Sequence, residues 1–289
     1  MASPQSPALP PTTTKAAMTA SPQRAATLLS NLAAVTSCVT TASSKSAAPK
    51  SVRLVAVSKL KPASDILALH NPPASHLHFG ENYVQELLEK SRLLPTTIHW
   101  HFIGGLQSNK CLSLARDVKG LWAVESVDTE KKASLLDKGW GERQKLSSEK
   151  EEGGEEKENA QSRLRVFVQV NTSGEENKSG VEPTAAPALC QFIRDKCPRL
   201  KLQGLMTIGA IARSKATGPG QENEDFLCLK ETRDRVVKEL DLQGAEQDLE
   251  LSMGMSDDYE GAIVLGSDQV RVGTSIFGER PPKAQAKVI

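Results

Sequence analysis

Short β-branched or apolar runs recur along this chain, and each is followed by a polar stretch of helical character, the alternation that a parallel α/β fold leaves in sequence. Eight runs stand out: Val52–Val57, Leu77–Phe79, Ile98–Ile103, Leu121–Val124, Leu164–Val170, Leu202–Ile208, Leu249–Met253 and Gln269–Val272. The intervals between most of them hold a loop, a helix and a loop, and Pro62-Ala63-Ser64-Asp65 and Asp128-Thr129-Glu130 read as helix N-termini. Eight strands at this spacing fit a single (β/α)8 TIM barrel better than an open doubly wound sheet, whose glycine-rich GxGxxG turn is absent. Ahead of the first strand, Arg24–Val35 sets Ala25, Leu28, Leu29, Leu32 and Val35 at helical spacing, predicting a helix that covers the bottom of the barrel.

Two stretches depart from the alternation. Lys145–Ser162 is charged, broken by glycine and without an apolar residue between Leu146 and Ala160, and reads as a disordered acidic insertion before the fifth strand. Arg213–Glu224 follows the sixth strand and contains Thr217-Gly218-Pro219-Gly220, which breaks any helix and marks a loop. The expected organisation is a tail over residues 1–22, a barrel over 23–280 and a C-terminal tail over 281–289.

Composition narrows the function classes. The 289 residues are 38% hydrophobic and 25% charged, as in soluble globular proteins, and the formal net charge of +1 recommends neither nucleic acid nor an anionic membrane as a partner. Five cysteines, at 38, 111, 190, 197 and 228, form no CxxC pair and suit a reducing compartment. No uninterrupted apolar run reaches membrane-spanning length. The first fifty residues are rich in Ala, Ser, Thr and Pro, no acidic residue occurs before Asp65, and this N-terminal bias reads as a disordered tail, with a mitochondrial transit peptide as the other reading. A cytoplasmic location is therefore expected, the mitochondrion being the alternative.

In a barrel of this kind chemistry sits where strands end at their C-terminal side. The first run ends Ala56-Val57-Ser58-Lys59, placing an amine where the wall opens. Desolvation there disfavours the ammonium and leaves a neutral amine able to attack an aldehyde; the other reading is a lysine that snorkels to solvent, as Lys61 nearby is expected to do. The last strand leads through Gly273-Thr274-Ser275 into a short helix, and the seventh ends Ser252-Met253-Gly254-Met255-Ser256. Turns of backbone amides and hydroxyls after strands seven and eight are the usual phosphate sites of barrel enzymes, so a ligand carrying both phosphate and aldehyde is implied. His99 and His101 alternate on one strand as a weak metal pair, Glu81 and Tyr83 are candidate acid/base groups, and Trp100, Phe102 and Trp122 read as packing between barrel and helices.

The strings Ala56-Val57-Ser58-Lys59, Phe79-Gly80-Glu81-Asn82-Tyr83, Trp100-His101-Phe102-Ile103-Gly104, Gly204-Leu205-Met206-Thr207-Ile208, Ser252-Met253-Gly254-Met255-Ser256 and Arg271-Val272-Gly273-Thr274-Ser275-Ile276-Phe277-Gly278 resemble, in order, the motifs of the YggS/PROSC family of pyridoxal phosphate homeostasis proteins. That resemblance implies a barrel like the N-terminal domain of alanine racemase, with pyridoxal 5′-phosphate held as a Schiff base on Lys59. It also implies Asn82 beside the ring, Met206 lining the pocket, and Ser252, Ser256, Gly273 and Thr274 holding or bordering the phosphate. Arg271 matches the arginine that faces the pyridine nitrogen. The implied role is a monomer that buffers the cofactor or delivers it to apo-enzymes without strong catalysis. The alternatives are a pyridoxal-dependent racemase, lyase or decarboxylase, and an aldolase-like barrel whose lysine attacks substrate directly. The chain ends nine residues after Arg280, which leaves no room for the C-terminal β domain of the racemases.

Overall fold

The computed structural model describes residues 18–46, 48–148, 163–175, 178–210, 223–242, 244, 248–286 and 288–289. Eight parallel strands close into a barrel in chain order: β1 (Arg53–Val57), β2 (His78–Glu81), β3 (His99–Phe102), β4 (Leu121–Val127), β5 (Leu164–Gln169), β6 (Leu200–Met206), β7 (Glu250–Ser252) and β8 (Gln269–Val272). Each overlaps one of the eight apolar runs, so the expected (β/α)8 architecture is what forms. The helices between strands are α2 (Ala63–His70), α3 (Val84–Leu93), α4 (Ser108–Asp117), α5 (Glu130–Ser148), α6 (Ala186–Lys196), α7 (Glu224–Glu239) and α8 (Tyr259–Val264), with α9 (Thr274–Phe277) after β8.

Strand alternation sorts side chains to two sides. Leu54, Ala56, Phe79, Trp100 and Phe102 face outward into one continuous core shared with the helices, in which Trp100 and Phe102 are fully buried as expected. Ala123, Phe167 and Met206 form a separate cluster inside the barrel, with Trp122 packed against it. Trp122 thus departs from its expected place between barrel and helices. The register shifts between Trp100 and His101, which pair with Leu121 and Ala123, and this extra residue in β4 turns Trp122 toward the interior.

Helix α1 (Pro22–Lys45) is longer than its apolar spacing indicated and lies elsewhere than expected. It starts at an N-cap where the Ser21 hydroxyl accepts from Arg24 N, and it buries Leu28, Leu32, Val35, Val39 and Ala42. Rather than closing the barrel bottom it packs beside the wall against α2, α8 and α9, pinned by the Arg24–Asp65 ion pair at 2.6 Å and by Asn31 Nδ2 donating to Ile276 O. The four-residue α9 leaves that flank of the wall thinly covered, and α1 fills it. By length and mean hydropathy (1.3) α1 alone among the described helices passes the composition test for a membrane span, but its apolar face is used in this packing.

The insertions shrink where they are described. Lys145–Ser148 forms the end of α5, and Asn223 caps α7 by accepting from Asp225 N, with Glu224 its first residue. The remainder of both expected insertions, and residues 1–17 of the N-terminal tail, lie outside the described residues.

Candidate functional site

The mouth of the barrel gathers Lys59 and the turns after β7 and β8 through register alone. Ala56 pairs with Val272 on one side and Val57 with Gly80 on the other, so Lys59 leaves β1 between the end of β2, which leads to Asn82, and the end of β8, where Gly273 lies against Val57. Ser252 pairs with Gln269, and Gly273 N donates to Ser256 Oγ at 3.2 Å, which joins the two phosphate-type turns expected after β7 and β8. Asp258 Oδ1 accepts from Met255 N at 2.7 Å and holds the first of them. Gly254 has φ +95°, and a Cβ there would lie 2.6 Å from Ala262 Cβ, so this turn requires glycine. Thr274 and Ser275 are exposed, whereas Arg271, Ser252 and Met206 are buried beneath the mouth.

Lys59 is half-buried, and burial first, then the charge of Arg280, lowers its amine from 10.5 to about 8; Glu81 opposes this and Arg271 adds to it. Its support is covalent geometry plus a buried clamp. Leu60 adopts φ +62°, a strained conformation for a branched residue, and its N–H donates to Glu86 Oε1 at 2.7 Å. Beneath it the fully buried Lys90 donates from Nζ to Ser58 O (2.9 Å), Glu81 Oε1 (2.7 Å) and Glu86 Oε1 (2.6 Å), while Ser58 Oγ donates to Glu81 Oε1 (2.7 Å). Burial pushes the Glu81 carboxyl up, Lys90 opposes this and Glu86 reinforces it.

Glu81 therefore commits Oε1 to the clamp beneath α3, while its Oε2 is buried without a hydrogen-bond partner. Tyr83 lies on the surface with the Lys283 ammonium 4.4 Å over its ring. Lys61 also departs from expectation: it is buried, and its Nζ donates to Phe277 O (3.1 Å) and Glu279 O (2.5 Å), tying the first loop to the chain after β8.

Below Arg271 runs a buried polar column that pattern reasoning missed. Arg271 donates from Nη1 to Ser252 Oγ (2.6 Å) and from Nη2 to Thr207 O (2.7 Å). Ser252 donates in turn to Glu125 Oε2 (2.7 Å), and Glu125 Oε1 accepts from Gln269 Nε2 and His101 Nδ1, both at 2.7 Å. Burial raises the Glu125 carboxyl, but the bonds from His101 and Ser252 and the charge of Arg271 carry it below the ordinary range, so it is an anion beside a His101 that burial keeps neutral. Because Glu125 accepts, His101 Nδ1 carries the hydrogen and its Nε2 accepts from His78 Nδ1 at 2.9 Å. Burial and the neighbouring histidines push His78 down to about 2, so the column holds one anion and one cation, Glu125 and Arg271. With His101 so occupied, the pair with His99 has no third ligand; among the described residues no metal-type cluster of His, Cys, Asp or Glu occurs.

Asn82 Oδ1 is buried without a hydrogen-bond partner just past the end of β2, an acceptor held ready beside the site. Arg280 was likewise not singled out from sequence, although it exerts the largest charge effect on Lys59. Labelling of Lys59 by a small amine reagent should accelerate with pH and inflect near 8 instead of 10.5, and Arg280→Gln should move the inflection upward; mass spectrometry of partially labelled protein reads both. The sign for stability follows: the folded value is depressed, so between 8 and 10.5 the unfolded chain holds more protons and stability rises with pH through that window.

Barrel, strand-end lysine and paired turns define a protein of the pyridoxal-barrel class, and the alanine racemase N-terminal domain family matches residues 30–281. The chain belongs to the YggS/PROSC family within it. It is 44% identical over 244 residues to the pyridoxal phosphate homeostasis protein of Schizosaccharomyces pombe, covering 84% of this chain and 91% of that one. The protein of the same name from Caenorhabditis elegans is 46% identical over 242 residues, covering 82% and 90%. PipY of Synechococcus elongatus, solved with PLP bound, superposes with a TM-score of 0.63 at 27% identity, covering 87% of this chain and all (100%) of that one.

Proposed function

We propose that this protein holds pyridoxal 5′-phosphate as a Schiff base on Lys59 and acts in its homeostasis, buffering the cofactor or delivering it to apo-enzymes, without strong catalysis of its own. The observation that carries this is the half-buried Lys59 amine, lowered to about 8, beside the joined turns of Ser256, Gly273 and Thr274. The names of the homeostasis relatives and the PLP bound by PipY support it.

The residues present fit the group. Lys59 Nζ supplies a neutral amine to an aldehyde in a useful fraction near neutrality. The Thr274 amide with the Ser256 and Thr274 hydroxyls would supply donors to a phosphate, the Gly273 N–H orients the Ser256 hydroxyl, and Ser252 would border the group while holding Arg271. Met206 forms apolar floor inside the barrel, and the unpartnered Asn82 Oδ1 lies beside the ring's place. When bound, the cofactor supplies an electron sink for carbanions. Arg271 would weaken that sink: a permanent guanidinium near the pyridine nitrogen would disfavour its protonation, and the bonds to Ser252 and Thr207 fix where the guanidinium lies. Exposure of Thr274 and Ser275 leaves the phosphate end open to solvent, which suits exchange. Action in the cytosol, with the mitochondrion as alternative, and a monomeric state complete the proposal.

Incubating the loaded protein with a panel of amino acids in deuterated water tests the division between carrier and enzyme. The expected result is no exchange of α-protons and no product by NMR; sustained turnover of any one amino acid contradicts it.

A further inference from the structure

We propose that the opposite end of the barrel from Lys59 carries a second binding site, for a small organic oxyanion, a phosphate or a carboxylate. A cavity of about 270 Å³ opens there between the first residues of β3, β4 and β5 and helix α5, with His99, Trp122, Trp140, Arg143, Arg163 and Arg165 in its wall and no acidic residue among the described lining. The volume suits a small molecule of metabolite size.

Two groups in this wall, Arg165 and His99, offer hydrogen-bonding atoms that no described residue engages. Arg165 is half-buried, and its guanidinium stacks 4.4 Å over Trp122, yet it has no ion pair or hydrogen bond among the described residues. A desolvated guanidinium keeps its charge and presents five donors in a fork suited to an oxyanion. The carboxylate that acts on it, Glu250, is already engaged by Arg53 Nη1 at 2.5 Å and Nη2 at 3.2 Å and by Gln203 Nε2 at 2.7 Å. Arg53 itself lies 4.4 Å over Trp122 and repels Arg165, so the existing charges make the deficit of anion larger. His99 Nδ1, the second group, is buried with no hydrogen-bond partner. Burial and neighbouring cations hold its imidazole neutral, so Nδ1 accommodates a hydrogen for an incoming oxygen. Arg163, exposed at the rim, adds a cation on the approach. The buried His99 Nδ1 costs stability while it has no partner, and an oxyanion in the cavity would engage it together with the half-buried guanidinium of Arg165. The site is built from β3–β5 starts and does not involve Lys59, Arg271 or either upper turn.

Trp122 and Trp140, two of the three tryptophans, line the cavity and report on it. Titrating the full-length protein at low ionic strength, with its upper turns already filled by pyridoxal phosphate, with inorganic pyrophosphate and, separately, citrate should change tryptophan fluorescence with saturation at one anion per chain; whichever binds more tightly identifies phosphate or carboxylate as the preferred chemistry. Arg165→Gln should weaken binding about tenfold or more, as loss of a charged donor does, and Arg163→Gln, at an exposed position that cannot disturb the fold, should weaken it severalfold. Ser256→Ala should leave it unchanged. Loss of binding in Ser256→Ala with retention in Arg165→Gln assigns the anion to the upper turns and overturns the proposal. Absence of saturable binding overturns it as well.

Discussion

Lys59→Ala is expected to lose the visible absorption band that the wild type gains with pyridoxal phosphate, and with it all borohydride-stable retention of the cofactor. The amine is the only covalent attachment proposed, and neighbours that bind a phosphate by neutral amides and hydroxyls hold it far less firmly than a covalent bond. The same substitution should leave the cofactor-free fold as stable as the wild type or more so at neutral pH. Lys59 is an amine whose protonated form is disfavoured where it sits, by burial and by the charges of Arg280 and Arg271, and alanine removes that penalty. Thermal unfolding of the two cofactor-free proteins checks this. A large loss of stability with no loss of the band contradicts both halves.

Lys90→Met is expected to do the opposite. Lys90 is fully buried and its ammonium is shared among Ser58 O, Glu81 and Glu86, so methionine fills the space but strands two carboxylates at the base of α3. Breaking a buried pair from one side costs about 3–5 kcal/mol. Urea titration near pH 7 should show that deficit, and it should shrink as pH falls. Burial already pushes the Glu81 carboxyl up and Lys90 opposes this, so removing Lys90 raises it further, and the folded state takes up a proton preferentially and gains stability at lower pH. Cofactor capture should also suffer, since the Lys90–Ser58 and Glu86–Leu60 bonds hold the residues on either side of Lys59. A variant of wild-type stability at all pH values would mean that the clamp is not what holds this turn.

These two lysines mark where the sequence was legible and where it was not. Lys59 was visible because it follows an apolar strand run, and the recurrence of short β-branched or apolar runs located all eight strands, with no end displaced by more than three residues. Lys90 was invisible: on a helix with Glu86 and Glu89 it reads as one member of a solvated charged face, and only the docking of α3 on β2 shows that it points inward. Glu81 was misread for a related reason. It ends β2 at the mouth, but Phe79 and Glu81 share the outward parity, so it faces the helix layer. Glu125 escaped because the apolar run was ended at Val124 on meeting a charge, whereas β4 continues to Val127 and uses that charge inside the barrel. Trp122 was assigned to the wrong side because an extra residue between neighbouring strands cannot be seen from one strand's alternation. The outer placement of α1 is tertiary as well, since an amphipathic face states that something is covered and not what.

Peptide mapping by mass spectrometry, after the wild-type protein is loaded with pyridoxal phosphate and reduced with borohydride, tests the Lys59 assignment most directly. The expected result is one phosphopyridoxyl group per chain, on the peptide containing Lys59 and on no other. An unmodified Lys59, with the group on another lysine or absent, would contradict it.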